Sequence, residues 1–157
     1  MSLTTVREYL ANWGKDSQIL EFDVSSATVA LAATALGIAE ARIAKTLAFA
    51  QDSTGILVVT AGDARIHNRR FKDQFGMKAK MLDAESTYAL TGHPVGGVCP
   101  FALAQENISV YLDVSLKRFE TVFPACGSAN SAIELTIAEL VTMAQSKGWV
   151  DVCSNWQ

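Results

Sequence analysis

Two features of the sequence have the residue types and spacing to act on an anion or a polarised carbonyl. The first is the stretch Thr-Gly-His-Pro-Val-Gly-Gly-Val-Cys-Pro-Phe-Ala from Thr91 to Ala102. Pro94 and Pro100 lack a backbone donor and Gly92, Gly96 and Gly97 loosen the chain, so the stretch is neither a regular helix nor a central strand. Adjacent glycines at 96 and 97 let backbone N–H groups face a ligand with no side chain in the way, and Pro100 stiffens the exit. Val95, Val98, Cys99 and Phe101 interleave with them, which predicts a loop packed on the core along one side. A rigid glycine loop of this kind suits an oxyanion or a phosphate. The second feature is Lys45, in the run Ile43 to Ala50. Period two places Ile43, Lys45, Leu47 and Phe49 on one face of a strand. A lysine among bulky apolar neighbours either snorkels at a strand end or waits, partly desolvated, for an anionic partner. No acidic residue lies within the strand to neutralise it.

Charge is unevenly spread. The formal net charge is −3, which argues against a protein that coats nucleic acid. Between residues 65 and 80, however, six cations (Arg65, Arg69, Arg70, Lys72, Lys78, Lys80) face one anion, Asp73, a segment net of +5 that leaves −8 on the remainder. Such a patch fits contact with a few phosphates or, alternatively, a solvated helix face. Cys99, Cys126 and Cys153 are odd in number and contain no Cys-x-x-Cys pair, so neither a disulfide framework nor a zinc site is expected. Two histidines, His67 and His93, are too few for a histidine-based metal centre.

The 157 residues, 50% of them hydrophobic, predict one domain spanning 1–157 with a substantial core. The N-terminus lacks a basic start followed by an apolar run, and the most apolar segment, 29–39, falls short of the roughly 18 residues of a membrane span. A soluble chain in a reducing cytoplasm is the expectation.

The elements that position these residues follow from caps and periodicity. Thr4 or Thr5 opens a helix with Val6, Leu10 and Trp13 on one face, ending at Gly14. Residues 18–22 are β-like. Ser25 or Ser26 caps a helix over 27–36, closed by Gly37 and apolar nearly all round, hence buried. A turn at 52–55 joins the Lys45 strand to a second strand, 56–60. Asn68 caps a basic helix over 69–75, 79–82 forms a short strand, and Asp83 caps the helix that delivers the chain into the glycine loop. A strand over 108–113, a helical turn over 115–119, a pairing of 122–126 with 132–135, and a helix capped by the box Thr136 to Glu139 complete the pattern, followed by an apolar tail from Trp149 to Gln157. Short strands, hairpins and helices at both ends argue for a mixed, strongly curved sheet or open barrel with helices outside it, an α/β class fold.

Taken in order, Ala32-Ala33 to Leu36-Gly37, Ile43-Ala44-Lys45-Thr46-Leu47, Ala61-Gly62-Asp63-Ala64-Arg65, Gly92 to Phe101 and Ala132-Ile133-Glu134-Leu135-Thr136 resemble the YbaK and prolyl-tRNA-synthetase-associated editing domain family over nearly the whole chain. The resemblance implies a YbaK-like fold and an aminoacyl-tRNA deacylase that hydrolyses the ester between a wrong amino acid and tRNA, most often tRNA for proline, without metal or organic cofactor. It implies that Lys45 contacts the terminal ribose-phosphate region and that Gly96, Gly97 and Val98, in the Gly-x-x-x-Pro loop ending at Pro100, hold the ester carbonyl as it becomes an oxyanion. Thr46, His93, Cys99, Pro100 and Phe101 are then expected around the substrate. Asp113 is a candidate for orienting water or binding the substrate amine, or else a strand-end surface carboxylate. Arg65, Arg69, Arg70 and Lys72 are candidates for tRNA phosphates. Cys99 stands where relatives often carry a hydroxyl residue. The sequence fixes no base beside it, although His93 is six residues away and could approach, so thiol catalysis is not expected.

The resulting expectation is an editing hydrolase acting on mischarged tRNA, with a prolyl-tRNA synthetase as a further candidate partner. A non-catalytic module that holds a tRNA 3′ end or a nucleotide, and a small-molecule esterase, are the competing readings.

Overall fold

The computed structural model describes residues 2–156; Met1 and Gln157 lie outside it. The hairpin of β2 (Ile43–Gln51) and β3 (Thr54–Ala61) is the longest pairing, in antiparallel register from Ala44 opposite Ala61 to Gln51 opposite Thr54. Asp52 makes the turn with a φ of 52°, a conformation that aspartate tolerates better than most residues. Beyond β3 lie β5 (Ser109–Asp113) and β9 (Gly148–Val150), both parallel to their neighbours. Beyond β2 lie β6 (Thr121–Pro124), parallel, and β8 (Leu135–Thr136), antiparallel to β6. The sheet is therefore mixed, in the order β8-β6-β2-β3-β5-β9, and it curls into a half-barrel. Two small antiparallel pairs flank it: β1 (Leu20–Glu21) with β7 (Ser131–Ala132), and β4 (Arg65–Ile66) with β10 (Cys153–Ser154).

Five α-helices, counted among the described residues, close the outside: α1 (Ser2–Leu10), α2 (Val29–Leu36), α3 (Asn68–Phe75), α4 (Ala84–Thr91) and α5 (Ile137–Met143). Their stops match the glycines: Gly37, Gly76 and Gly92 each follow a helix in the left-handed region. The Thr136–Glu139 capping box is formed in both directions. Phe49, Phe71, Phe101, Leu112 and Leu116 are fully buried at the centre, and Phe71 of α3 packs on Phe49 of β2 with ring centroids 4.7 Å apart. Each such side chain contributes roughly 1.5–3 kcal/mol on burial.

Four local expectations are corrected. α1 begins at Ser2, ahead of Thr4 and Thr5. Thr28, not Ser25 or Ser26, caps α2, accepting from the N–H of Leu31. His67 caps α3 through Nδ1, one residue before Asn68. α2 is not buried all round: Ala32 and Ala33 pack inward on Ile43 and Phe123, while Leu31 is 46% exposed. Small side chains make the inner face because the helix lies close over the sheet, and the apolar outer face is left in solvent. The tail from Trp149 is docked as far as it is described, through β9 and β10. No helix among the described residues is long and apolar enough to cross a membrane.

Candidate active site

One edge of β2 is shared between two partners. Ile43 and Ala44 pair with β6, whereas the Ala50 N–H donates to the Lys80 carbonyl (2.9 Å) and Ala48 O accepts from the Leu82 N–H (3.0 Å). Between them, at Lys45-Thr46-Leu47, the partners diverge and the sheet forks. A cavity of about 270 Å³ opens there. Its floor is β2; its walls come from Ser26 to Val29 and Ala32, from Met81 and Leu82, from Phe123 and Ala125, and from Val95, Gly96 and Val98 of the glycine loop. The lysine strand and the loop, fifty residues apart in sequence, thus share one site.

Lys45 is half-buried, and its Nζ donates to Ala64 O at 2.6 Å and lies 3.5 Å from Gly62 O. Two of its three protons are accounted for by carbonyls of the turn after β3, and the third is available to a ligand. Burial pushes its pKa below the ordinary lysine value; nearby Cys153 and Asp63 pull it back up, and Arg65 adds to the lowering. Asp63 makes no ion pair with it, being engaged by Arg118 at 2.6 and 3.0 Å. Among the described residues Lys45 is the one charged side chain in the cavity wall. It therefore neither snorkels into open solvent nor has a resident anion.

The loop is held by contact on both sides. Gly92 ends α4 at φ 80°, and a tight turn follows in which the Gly97 N–H donates to Pro94 O at 3.0 Å. Gly96 has φ +85°, and a Cβ there would stand 2.7 Å from the Ala27 Cβ; a Cβ on Gly97 would stand 2.6 Å from the backbone of Gly127 and Ser128. Both glycines are required by close approach. The Gly97 N–H is spent on the turn and is not a donor to a ligand, which corrects its expected place in an oxyanion hole. The N–H groups of Gly96 and Val98 have no hydrogen-bond partner among the described residues.

His93, Cys99, Pro100 and Phe101 are all buried, behind the loop rather than in the cavity wall. His93 Nε2 donates to Phe101 O at 2.7 Å and Nδ1 accepts from the Ser2 hydroxyl, an arrangement that fixes the neutral tautomer. Burial holds its pKa below the usual histidine value. The Cys99 Sγ is 3.5 Å from His93 Nε2, but burial pushes the thiol up to about 12, so no thiolate forms at neutral pH. These four residues brace the loop from inside. Asp113 is also buried: its carboxylate accepts from the N–H groups of Ser115 and Val152, both at 2.9 Å, and ties β5 to the C-terminal segment. It is neither a surface carboxylate nor a cavity residue.

Of the basic residues, Arg65 follows Ala64, the acceptor of Lys45, and is exposed along with Arg69 and Lys72. Arg70 is committed elsewhere, donating to Cys153 O at 2.6 Å with Asp151 3.7 Å away. No cluster of three or more His, Cys, Asp and Glu suited to a metal occurs among the described residues. Sequence reasoning missed Ser26, a residue of the cavity wall whose hydroxyl is itself fully buried and makes no hydrogen bond among the described residues. A serine ahead of a helix reads as a cap, so nothing in its sequence neighbourhood marked it.

Residues 24–143 match the aminoacyl-tRNA editing domain. The chain belongs to that family. It is 52% identical over the full length of both chains to the "uncharacterized protein YwhH" of Bacillus subtilis (strain 168). It is 24% identical to the "putative Cys-tRNA(Pro)/Cys-tRNA(Cys) deacylase EbsC" of Enterococcus faecalis, covering 90% of this chain and 81% of that one. Among solved structures, a "putative trans-editing enzyme for prolyl tRNA synthetase" superposes with a TM-score of 0.87 at 25% identity, over 98% of this chain and 97% of the other. The mixed, curled sheet with its outer helices is thus the YbaK-like editing fold, and the family supports an editing role. The matched span contains the Lys45 strand, the glycine loop and Ser26 alike.

Proposed function

We propose that this editing-domain protein is a trans-acting deacylase that hydrolyses the ester of a mischarged aminoacyl-tRNA, with tRNA for proline or a related tRNA carrying a small amino acid as substrate. The observation that carries the reading is the forked sheet: it joins one partly desolvated cation, Lys45, and a rigid glycine loop across a small, largely apolar cavity. An aminoacyl ester is already activated, so positioning and charge stabilisation suffice without a side-chain nucleophile.

In this reading Lys45 holds the terminal ribose-phosphate, its third proton supplying a charge-assisted hydrogen bond. The free N–H groups of Gly96 and Val98 receive the carbonyl oxygen as it gains negative charge. Water attacks the carbonyl carbon, the bond from that carbon to the ribose oxygen breaks, and the ribose oxygen leaves with a proton; free amino acid and uncharged tRNA result. The substrate's own ribose hydroxyl assists the attacking water. Thr46 lines the cavity beside Lys45, and Arg65, Arg69 and Lys72 offer phosphate contacts outside it. A prolyl-tRNA synthetase is the natural partner of such an activity, and the cytoplasm its place.

The test is deacylation of alanyl-, cysteinyl-, seryl- and threonyl-tRNA by the wild-type protein. Release of amino acid from at least one, at a rate well above spontaneous hydrolysis, is the expected result. Tight binding of these tRNAs without release would leave a 3′-end binding module instead.

A further inference from the structure

A carboxylate stands beside the cavity lysine and does not bond to it. Asp63 lies between Gly62 and Ala64, the two residues whose carbonyls face Lys45 Nζ at 3.5 and 2.6 Å. A half-buried ammonium attracts the nearest carboxylate more strongly than an exposed one does, so an aspartate at this position is the natural counter-ion. Arg118 prevents the pairing. Its guanidinium takes both carboxylate oxygens, Nη2 to Oδ1 at 2.6 Å and Nη1 to Oδ2 at 3.0 Å, a fork that arginine offers to a carboxylate and lysine does not. The arginine is itself anchored: Nε donates to Ser115 O at 2.9 Å, Nη1 to Trp156 O at 3.0 Å, and the guanidinium lies over the rings of Phe119 and Trp156, 4.9 and 5.1 Å from their centroids. Its hydrogen bonds hold the Asp63 carboxyl below the usual carboxylate range, so the group stays charged and stays put. The turn has other supports. The Ala64 N–H donates to Ala61 O at 3.1 Å, Gly62 packs against Glu40 O too closely for a Cβ, and Arg65 pairs with Ser154. An ion pair whose side chains are 28% and 34% exposed adds little to stability. What the pair changes is the charge next to Lys45.

Resting on the deacylase reading, in which Lys45 receives the substrate's phosphate, we propose that Arg118 is a positioning residue that sequesters Asp63, so that the one cation of the cavity stays open to the substrate instead of closing on a carboxylate of its own chain. Released from Arg118, Asp63 turns to Lys45 and occupies the donor that the substrate needs. Affinity for the substrate then falls in proportion to the fraction of molecules in which the internal pair is open. The released carboxylate also favours the charged lysine and raises the pH at which Lys45 loses its proton. The other titratable or charged groups facing Lys45 are Arg65, next to Ala64, and the Cys153 thiol of β10, which burial and Asp113 push up and keep protonated. Neither side chain is a partner of Arg118 among the described residues, so a change at Arg118 reaches Lys45 through Asp63.

The experiment compares the wild type, Asp63→Asn, Arg118→Met and the double variant Arg118→Met with Asp63→Asn in two readouts. The first is an NMR titration of Lys45 in protein isotope-labelled at lysine Cε, with the signal identified by its absence from Lys45→Met; it needs no substrate. The second is kcat/KM for the best mischarged tRNA. Arg118→Met is expected to raise the Lys45 titration midpoint by about one pH unit and to lower kcat/KM about tenfold at neutral pH, mainly through KM. Asp63→Asn alone is expected to stay near the wild type, and in the double variant both readouts are expected to return to it, because asparagine leaves no anion to pair with Lys45. A pair that only braces the fold gives no such repair: a double variant as impaired as Arg118→Met, or a Lys45 titration unmoved by Arg118→Met, overturns the proposal. Where Arg118→Met does not fold, Arg118→Lys, which keeps the charge and the stem but loses the fork, carries the same readouts with a smaller shift in the same direction. Absence of turnover with every tRNA removes the deacylase reading instead. The Lys45 titration then decides alone: a shift repaired by Asp63→Asn leaves Arg118 as the residue that keeps Lys45 unpaired, and no shift takes that role away.

Discussion

Lys45 is a cation that the fold has partly withdrawn from water and left with a spare donor. Burial disfavours its charged form, so it gives up its proton at lower pH than an ordinary lysine. Where the charge binds the substrate, the enzyme-catalysed rate falls as pH rises through that lowered value, and Lys45→Met is expected to abolish this alkaline limb along with most of the activity. A pH profile of kcat/KM, corrected for spontaneous ester hydrolysis, checks it. Cys99 makes the opposite case. With its thiol pushed up to about 12 and wholly buried, Cys99→Ser is expected to keep kcat within a few-fold, and iodoacetamide is expected to leave the native protein active. Loss of activity in either experiment, with the fold intact, would restore the thiol to the mechanism. Lys45 was legible in the sequence because no acid accompanies it in the strand. Ser26 was not, because the choice among Ser25, Ser26 and Thr28 for the cap is made by backbone angles that composition does not carry. Asp113 read as a carboxylate facing either the substrate or solvent, because its two amide donors include one from Val152, far along the chain.

At the scale of elements, the glycine loop is a wedge between the approach to α2 and the 127–129 segment. Gly97→Ala sets a Cβ 2.6 Å from backbone that has no flexible end to yield, and is expected to cost about 1–3 kcal/mol and to lower the melting temperature and turnover together. Gly96→Ala meets the Ala27 Cβ and an unfavourable φ of +85°, expected at about 1–2 kcal/mol, with its effect concentrated on turnover because Gly96 and Ala27 both line the cavity. Thermal melts and kinetics on the two variants separate these outcomes; equal, small effects on both would show that the loop is not wedged. Helix stops at Gly37, Gly76 and Gly92, the turn at 52–55 and the Thr136 box were readable because each is set within a few residues. The fork was not. It depends on Ile43 meeting Phe123 and Phe49 meeting Met81 on one edge of a single strand, pairings that local pattern does not encode. The expected strand over 79–82 survives as that one bridge, and it is this shortness that leaves room for the cavity.

For the whole molecule, an acidic body carries a basic segment whose members are not equivalent. Arg65, Arg69 and Lys72 are exposed, whereas Arg70 latches the C-terminal segment through Cys153 O. Neutralising Arg65 and Arg69 together is expected to weaken tRNA binding and to reduce the slope of log K against log salt by about 0.9 for each duplex phosphate that the variant no longer neutralises. Arg70→Ala is expected to appear first as a lower melting temperature. An unchanged salt slope in the double variant would remove the patch from tRNA recognition. The curved mixed sheet and outer helices were legible as a class because strand lengths, caps and hairpins agree with one another; that the loop and the lysine strand meet in a fork required the folded chain. The central claim is that this fork is where the ester is cleaved. It is tested most directly by single-turnover deacylation of the best mischarged tRNA by wild type and Lys45→Ala, with the fold of the variant confirmed by circular dichroism. A drop of at least a hundredfold in rate for a folded Lys45→Ala is the expected result. Turnover by the folded variant at the wild-type rate would place the chemistry elsewhere in the molecule.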